Sequence, residues 1–216
     1  MSKTLGKLEK PSAKKLRKGR KLFCVPLMPD LKGDGAQKAY REKAGVYWNQ
    51  VIEHLSSLEK LGEVTHIYHE SITESGEAAM KAIEQMNEAS QKLVKAKCEK
   101  GAKLEVAEDL GLLNEYVDWS MCLQVIGRSR DVVKKIIGFQ NEASKKRLEH
   151  FAKKINETLK KDETGILIMS DESRISLQSY LPTDIQFFLV HPPAFNDIQR
   201  LLRELLLTPT RSKTSD

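Results

Sequence analysis

Short apolar runs alternate with long amphipathic ones between residues 22 and 207. The first run, Leu22-Phe23-Cys24-Val25-Pro26-Leu27-Met28, is almost continuously apolar, the pattern of a strand covered on both faces. Pro26 weighs against a central position for it, because proline donates nothing to a ladder. Turn residues follow in Pro29-Asp30-Leu31-Lys32-Gly33-Asp34-Gly35. From Ala36 to Leu61, Tyr40, Ala44, Tyr47, Trp48, Val51, Ile52, Leu55, Leu58 and Leu61 recur at three- and four-residue steps, predicting a helix that Gly62 stops.

Val64-Thr65-His66-Ile67-Tyr68-His69 reads as a second strand. A helix capped by Thr73 or Ser75 then carries Ala79, Met80, Ile83, Met86, Leu93 and Val94 on one face and ends at Gly101. Lys103-Leu104-Glu105-Val106-Ala107 is a short third strand. A helix holding Leu112, Leu113, Tyr116, Val117, Trp119, Cys122, Leu123 and Ile126 comes next. A longer one spans about Asp131 to Leu159, with Val132, Val133, Ile136, Ile137, Phe139, Ala143, Leu148, Phe151, Ile155 and Leu159 as its stripe. Gly165–Met169 and Ile185–Val190 are the clearest strands, and a last helix over Ala194–Leu207 follows Pro192-Pro193. Strands separated by helices predict an α/β fold, helix-rich, with a mostly parallel sheet of about five strands flanked by long helices. The domain limits follow: a disordered basic tail over 1–20, a single α/β domain over 21–207 with a helical elaboration around 110–160, and a frayed tail over 208–216.

At 216 residues and 40% hydrophobic, the chain can bury a core without a staple. Cys24, Cys98 and Cys122 are odd in number and form no CxxC pair, which argues for reduced thiols and against a zinc site. No apolar run is long enough to span a bilayer, and no apolar segment follows the basic start as a signal peptide would require. The expectation is a cytoplasmic protein with no membrane association.

The net charge of +6 is concentrated. Residues 1–21 carry nine Lys or Arg against Glu9 alone, which makes +8 and leaves −2 for the rest. Such a tail attracts phosphate backbones through counterion release, so nucleic acid or a ribosome is one expected partner, through residues 1–21. No aromatic residue is interleaved there to stack on bases, and a solubilising extension would have the same composition.

In an open parallel sheet, ligands bind beyond the carboxyl ends of the strands. The sequence places Asp30, then His69-Glu70-Ser71, then Glu108-Asp109, then Ser170-Asp171-Glu172, and finally His191 at those ends. Carboxylates sharing a cleft repel one another unless a cation, a basic partner or water relieves them. His69, Glu70, Glu108, Asp109 and Asp171 are therefore the candidate ligands of a divalent metal, the one cofactor the pattern suggests. Glu70 and Asp109 are candidate acid and base groups, and Arg147 is the candidate that neutralises a small anionic ligand or pairs a carboxylate of the cleft. The plainer alternative is that strand ends lead into loops, and loops are polar. There is no GxGxxG after a strand, no GxxxxGK[ST], no HExxH and no GxSxG.

The stretch Lys145-Lys146-Arg147-Leu148-Glu149-His150-Phe151, continuing to Leu159 and then into Gly165-Ile166-Leu167-Ile168-Met169, resembles the late helix-to-strand segment of the TraB/ChaN/erythromycin-esterase-like group. His69-Glu70 and Glu108-Asp109 stand where that group places acidic residues. The resemblance covers about a third of the chain and implies the fold rather than a reaction. Val25-Pro26-Leu27-Met28-Pro29 and Ser170-Asp171-Glu172-Ser173 replace the group's Gly/His motif and its later Gly-His. Three expectations of function stand side by side: a hydrolase-like or degenerate enzyme with an acidic ligand- or metal-binding cleft, a nucleic-acid-associated protein using the tail, and a protein-interaction scaffold. A homo-oligomer through one of the long helices fits the last.

Overall fold

The computed structural model describes residues 18–31, 35–125 and 128–207; the expectations for residues 1–17 and 208–216 lie outside them. Strands β1 (Arg20–Pro26), β2 (Val64–His69), β3 (Lys103–Glu105), β4 (Thr164–Met169) and β5 (Ile185–Leu189) form one all-parallel sheet in the order β3-β2-β4-β1-β5. Seven helices surround it: α1 (Ala36–Leu58), α2 (Gly76–Met86), α3 (Glu88–Cys98), α4 (Leu110–Val125), α5 (Arg130–Thr158), α6 (Asp171–Gln178) and α7 (Ala194–Leu207). The steps from β1 to β2 and from β2 to β3 run one way along the sheet and put α1, α2 and α3 on one face, where α7 joins them. The steps from β3 to β4 and from β4 to β5 run the other way and put α5 and α6 on the opposite face. A single handedness of crossover demands this division.

Two cores result. Phe23, Val25, Ile67, Ile166 and Ile168 face α1, while Leu22, Cys24, Tyr68, Leu167 and Met169 face α5. The near-continuous apolarity of β1 and β4 is thus the signature of strands sandwiched between helices. Pro26 is tolerated because it is the last residue of β1, and the next amide, Leu27 N–H, continues the ladder to Met169 O at 2.9 Å. Gly165 pairs with His66 and Leu22, and the Tyr68 ring lies so close over it that an added Cβ would be 3.0 Å from that ring and 3.1 Å from Leu22.

Three departures from the pattern have physical causes. The helix expected through residues 75–100 is broken at Asn87, whose extended backbone starts α3 and whose Oδ1 accepts from Ser90 N–H at 2.8 Å. The same side chain donates Nδ2–H to Met28 O at 2.9 Å, tying the chain after β1 to this break. Between β4 and β5 the sequence pattern predicts no helix, yet α6 lies there, because parallel neighbours of one sheet need a crossover. Finally, β1 starts at Arg20 and Lys21, before the apolar run that begins at Leu22. Arg20 pairs with Asp184 and donates Nη1–H to Asn156 Oδ1 at 2.8 Å, and the buried Lys21 donates to Gly19 O at 3.0 Å.

The elaboration around residues 110–160 is an antiparallel pair, α4 against α5. Trp119 stacks on Phe139 with ring centroids 4.8 Å apart, and Tyr116 lies under the Arg147 guanidinium at 5.1 Å. At 29 residues α5 is about 43 Å long. Six of its seven buried residues lie from Ala143 onward, so the start of α5 and α4 stand off the sheet. No helix among the described residues is long and apolar enough to cross a membrane.

Candidate functional site

Glu70 follows β2, Glu108 stands three residues beyond β3, and Ser170 follows β4. The strand order β3-β2-β4 makes these three ends neighbours, and α5 lays Arg147 across them. Arg147 Nε–H lies 3.1 and 3.0 Å from the two Glu108 carboxylate oxygens, and Nη2 bonds both Glu108 and, at 3.1 Å, Glu70 Oε1. Backbone donors complete the shell. Ser71 N–H reaches Glu108 Oε1 at 3.0 Å, and Ser170 N–H reaches Glu70 Oε2 at 2.6 Å. The Ser170 hydroxyl donates to Glu70 Oε1 at 3.2 Å.

The cluster is closed to water: Arg147 is 2%, Glu108 4% and Glu70 8% exposed. Burial by itself would raise the Glu70 pKa. The Arg147 guanidinium, the Ser170 N–H and the Ser173 and Ser170 hydroxyls outweigh it and hold the carboxyl below the usual range. Burial also opposes the charge on Arg147, but Glu108 and Glu70 together raise its pKa above an ordinary arginine's. Glu70 and Arg147 are therefore charged; amide donors serve the carboxyl groups of Glu70 and Glu108, and the Tyr116 ring face serves the guanidinium. The sequence places Glu70 and Glu108 at strand ends and Arg147 on a long helix as a candidate partner for a carboxylate or an anionic ligand, and the structure brings these three together.

The other candidates stand apart from them. His69, one residue before Glu70, points to the opposite face of the sheet. There its Nδ1–H donates to Glu70 O at 2.8 Å and its Nε2 lies 3.3 Å from Ser90 Oγ on α3. Burial holds its pKa below the usual histidine value, against the pull of Glu70, so the ring is neutral at pH 7. Asp109 is exposed and accepts Leu112 N–H at 2.9 Å, as a cap for α4. Asp171 opens α6 and pairs with Arg174 three residues on. Asp30 lines a separate groove of about 360 Å³ with Tyr40, Arg41 and Trp48. His191 is exposed and meets the Phe195 ring edge-on at 4.3 Å. Among the described residues, no group of three or more His, Cys, Asp or Glu is arranged to hold a metal ion. The three cysteines are free, with Cys24 buried.

A second feature lies on α4, which the sequence showed only as a helix holding apolar residues. No residue of α4 is buried. Leu112, Leu113, Tyr116, Trp119, Cys122 and Leu123 are half-covered on the side of α5, while Leu110, Val117, Met121 and Val125 are exposed on the other side. The exposures of Met121 and Val125 reach 60% and 83%. On α5, Val132 and Phe139 are exposed as well, and Phe139 lies against α4. The signal was present in the sequence as apolar residues on both sides of the α4 helical wheel, a pattern that belongs to a helix covered all round. Comparison of the chain with protein-family models, with curated proteins and with solved structures found no match.

Proposed function

We propose that this chain is a protein-interaction scaffold, an α/β platform that holds the α4–α5 hairpin out as a docking surface. The observation that carries this reading is that α4, apolar on both sides, buries none of its residues within the chain. Contiguous exposed apolar surface at this scale is characteristic of interaction sites on soluble proteins. The buried cluster supports the same reading. Glu70, Glu108 and Arg147 spend their polar atoms on one another and on backbone amides, and they root the hairpin to the ends of β2, β3 and β4. A group that serves as acid, base or ligand needs a free lone pair and a path to substrate.

A photo-crosslinking side chain placed at Met121 tests the reading, with Lys145, exposed on the polar side of α5, as the reference position. The expected result is adducts of discrete mass from Met121 and none from Lys145, in purified chain or in cell extract. Absence of adducts from Met121 under both conditions overturns it.

A further inference from the structure

We infer that the groove between α1 and α3 is a binding site for a small, flat carboxylic acid, held by the Trp48 indole N–H and the first amides of α3. The groove, about 360 Å³, lies beyond the carboxyl end of β1, where open parallel sheets take their ligands. Its volume falls in the range of small-molecule sites. None of its lining comes from the Arg147 cluster or from α4.

Three observations carry the inference. Among the described residues, two buried side-chain polar atoms have no hydrogen-bond partner, Trp48 Nε1 and Thr164 Oγ1. Thr164 packs against Gly62 within the fold, whereas Trp48 lines the groove. Trp48 is 4% exposed, so bulk water does not serve its N–H either. An indole nitrogen only donates, and a buried donor without an acceptor is costly to keep. A ligand oxygen seated in the groove supplies the acceptor.

Second, α3 begins at the groove. Asn87 caps it: Oδ1 accepts from Ser90 N–H at 2.8 Å, and its carbonyl accepts from Gln91 N–H at 3.1 Å. Glu88 and Ala89, whose amides precede that first intrahelical bond, line the same groove as Trp48. A helix N-terminus favours an anion, and a carboxylate has one oxygen for the amides and one for the indole. The lining itself is neutral. It carries Arg41 and Lys92 against Asp30 and Glu88, and Lys92 pairs with Glu88 at 2.7 Å.

Third, α1 turns a glycine to the groove. Gly45 stands inside the helix, where glycine costs stability, and an added Cβ there meets nothing within 4 Å. The space beside it is open. The Tyr40 and Trp48 rings, both buried, give the lining its aromatic surface. That surface fits a flat ring whose carboxylate is turned toward α3.

The experiment follows the two indole N–H resonances of the isotope-labelled full chain, those of Trp48 and Trp119, during titration with benzoate and with cinnamate. Trp48→Phe assigns them. The expected result is a saturable downfield shift of the Trp48 indole proton and of the Glu88 and Ala89 amides, with Trp119 unmoved. Gly45→Leu fills the groove from a helix that it also favours, so it should weaken binding about tenfold or more without lowering the melting temperature. Cinnamyl alcohol, which has the ring but no carboxylate, should bind about tenfold more weakly than cinnamate. A Trp48 indole proton that neither carboxylate moves at millimolar concentration, or a shift that Gly45→Leu leaves unchanged, overturns the inference. Equal binding of the alcohol overturns it as well, because the α3 amides then take no anion.

Discussion

Arg147 meets Glu108 side-on across 39 residues of sequence, its Nε–H between the two carboxylate oxygens at 3.1 and 3.0 Å. Glu70 closes the group at 3.1 Å from Nη2. One cation thus serves two carboxylates inside the protein, and the arrangement survives because each carboxylate also takes a backbone N–H.

Removing that cation leaves two buried negative charges facing each other. Arg147→Ala should cost about 3–5 kcal/mol of stability, read from urea unfolding midpoints at pH 7. Replacing the whole group, with Arg147→Met, Glu70→Gln and Glu108→Gln together, should recover most of the loss, because no charge is then stranded. A single Arg147→Ala chain as stable as the parent would mean that water reaches the cluster.

Stability should fall in two stages as the solution is acidified. His69 has a folded-state pKa below its ordinary 6.5, mainly through burial. The unfolded chain therefore binds that proton more readily, so the stability is fully present above about pH 6.5 and is lost as pH falls below it. Glu70 likewise titrates below its ordinary 4.5 when folded, and its share is lost as pH falls through the range under that value. Melting temperatures between pH 8 and pH 3 check both stages. In His69→Gln the fall between pH 6.5 and 5 should flatten, whatever the substitution does to the starting value.

Two glycines should respond in opposite senses to the same added methyl. At Gly165 the new Cβ meets the Tyr68 ring and Leu22 in the middle of the sheet, so Gly165→Ala should cost about 1–3 kcal/mol. At Gly138, inside α5, an added Cβ meets nothing within 4 Å, so Gly138→Ala should gain about 0.5–1 kcal/mol through helix propensity and a stiffer unfolded chain. Thermal melts of the two single variants, side by side, test the pair.

Divalent cations should leave the melt where it is. The oxygens of Glu70 and Glu108 are engaged by Arg147, Ser71 and Ser170, Asp109 caps α4, and Asp171 is held by Arg174. Melts with a chelator and with added Mg, Mn, Zn or Ca should superimpose. A rise with any one of them would show a site with preference for the folded chain.

The strands were the legible part of the sequence. β2 spans Val64–His69 as its alternation predicts, and β4 and β5 lie within a residue of their apolar runs. Local pattern determines such elements, because burial on both faces leaves little choice of residue. The break at Asn87 was invisible for a tertiary reason: its side chain answers to Met28 O, 59 residues away. The helix Asp171–Gln178 was missed because only Arg174 and Leu177 are buried in it, too few for a period. At the candidate site, Glu70 and Glu108 were legible from their place at strand ends and Arg147 as a cation on the long helix, but their partners include the amides of Ser71 and Ser170, which no side-chain pattern encodes. His69 and Glu70 went to opposite faces for the simplest reason, since neighbours in extended chain alternate.

The strand order also dictates a sequence of events as the chain is made. β4 stands between β2 and β1, and it is the fourth strand to leave the ribosome. Until Thr164 emerges, β1 has no strand beside it at all, since both its neighbours, β4 and β5, come later. More than two thirds of the chain must therefore wait with the apolar run of β1 unpaired, and closure comes only when one late segment slides in between two early ones. Long-range parallel pairing of this kind is slow and exposed to aggregation. A fragment ending before Thr164 should accordingly be insoluble, because the apolar run of β1 then has no strand to pair with.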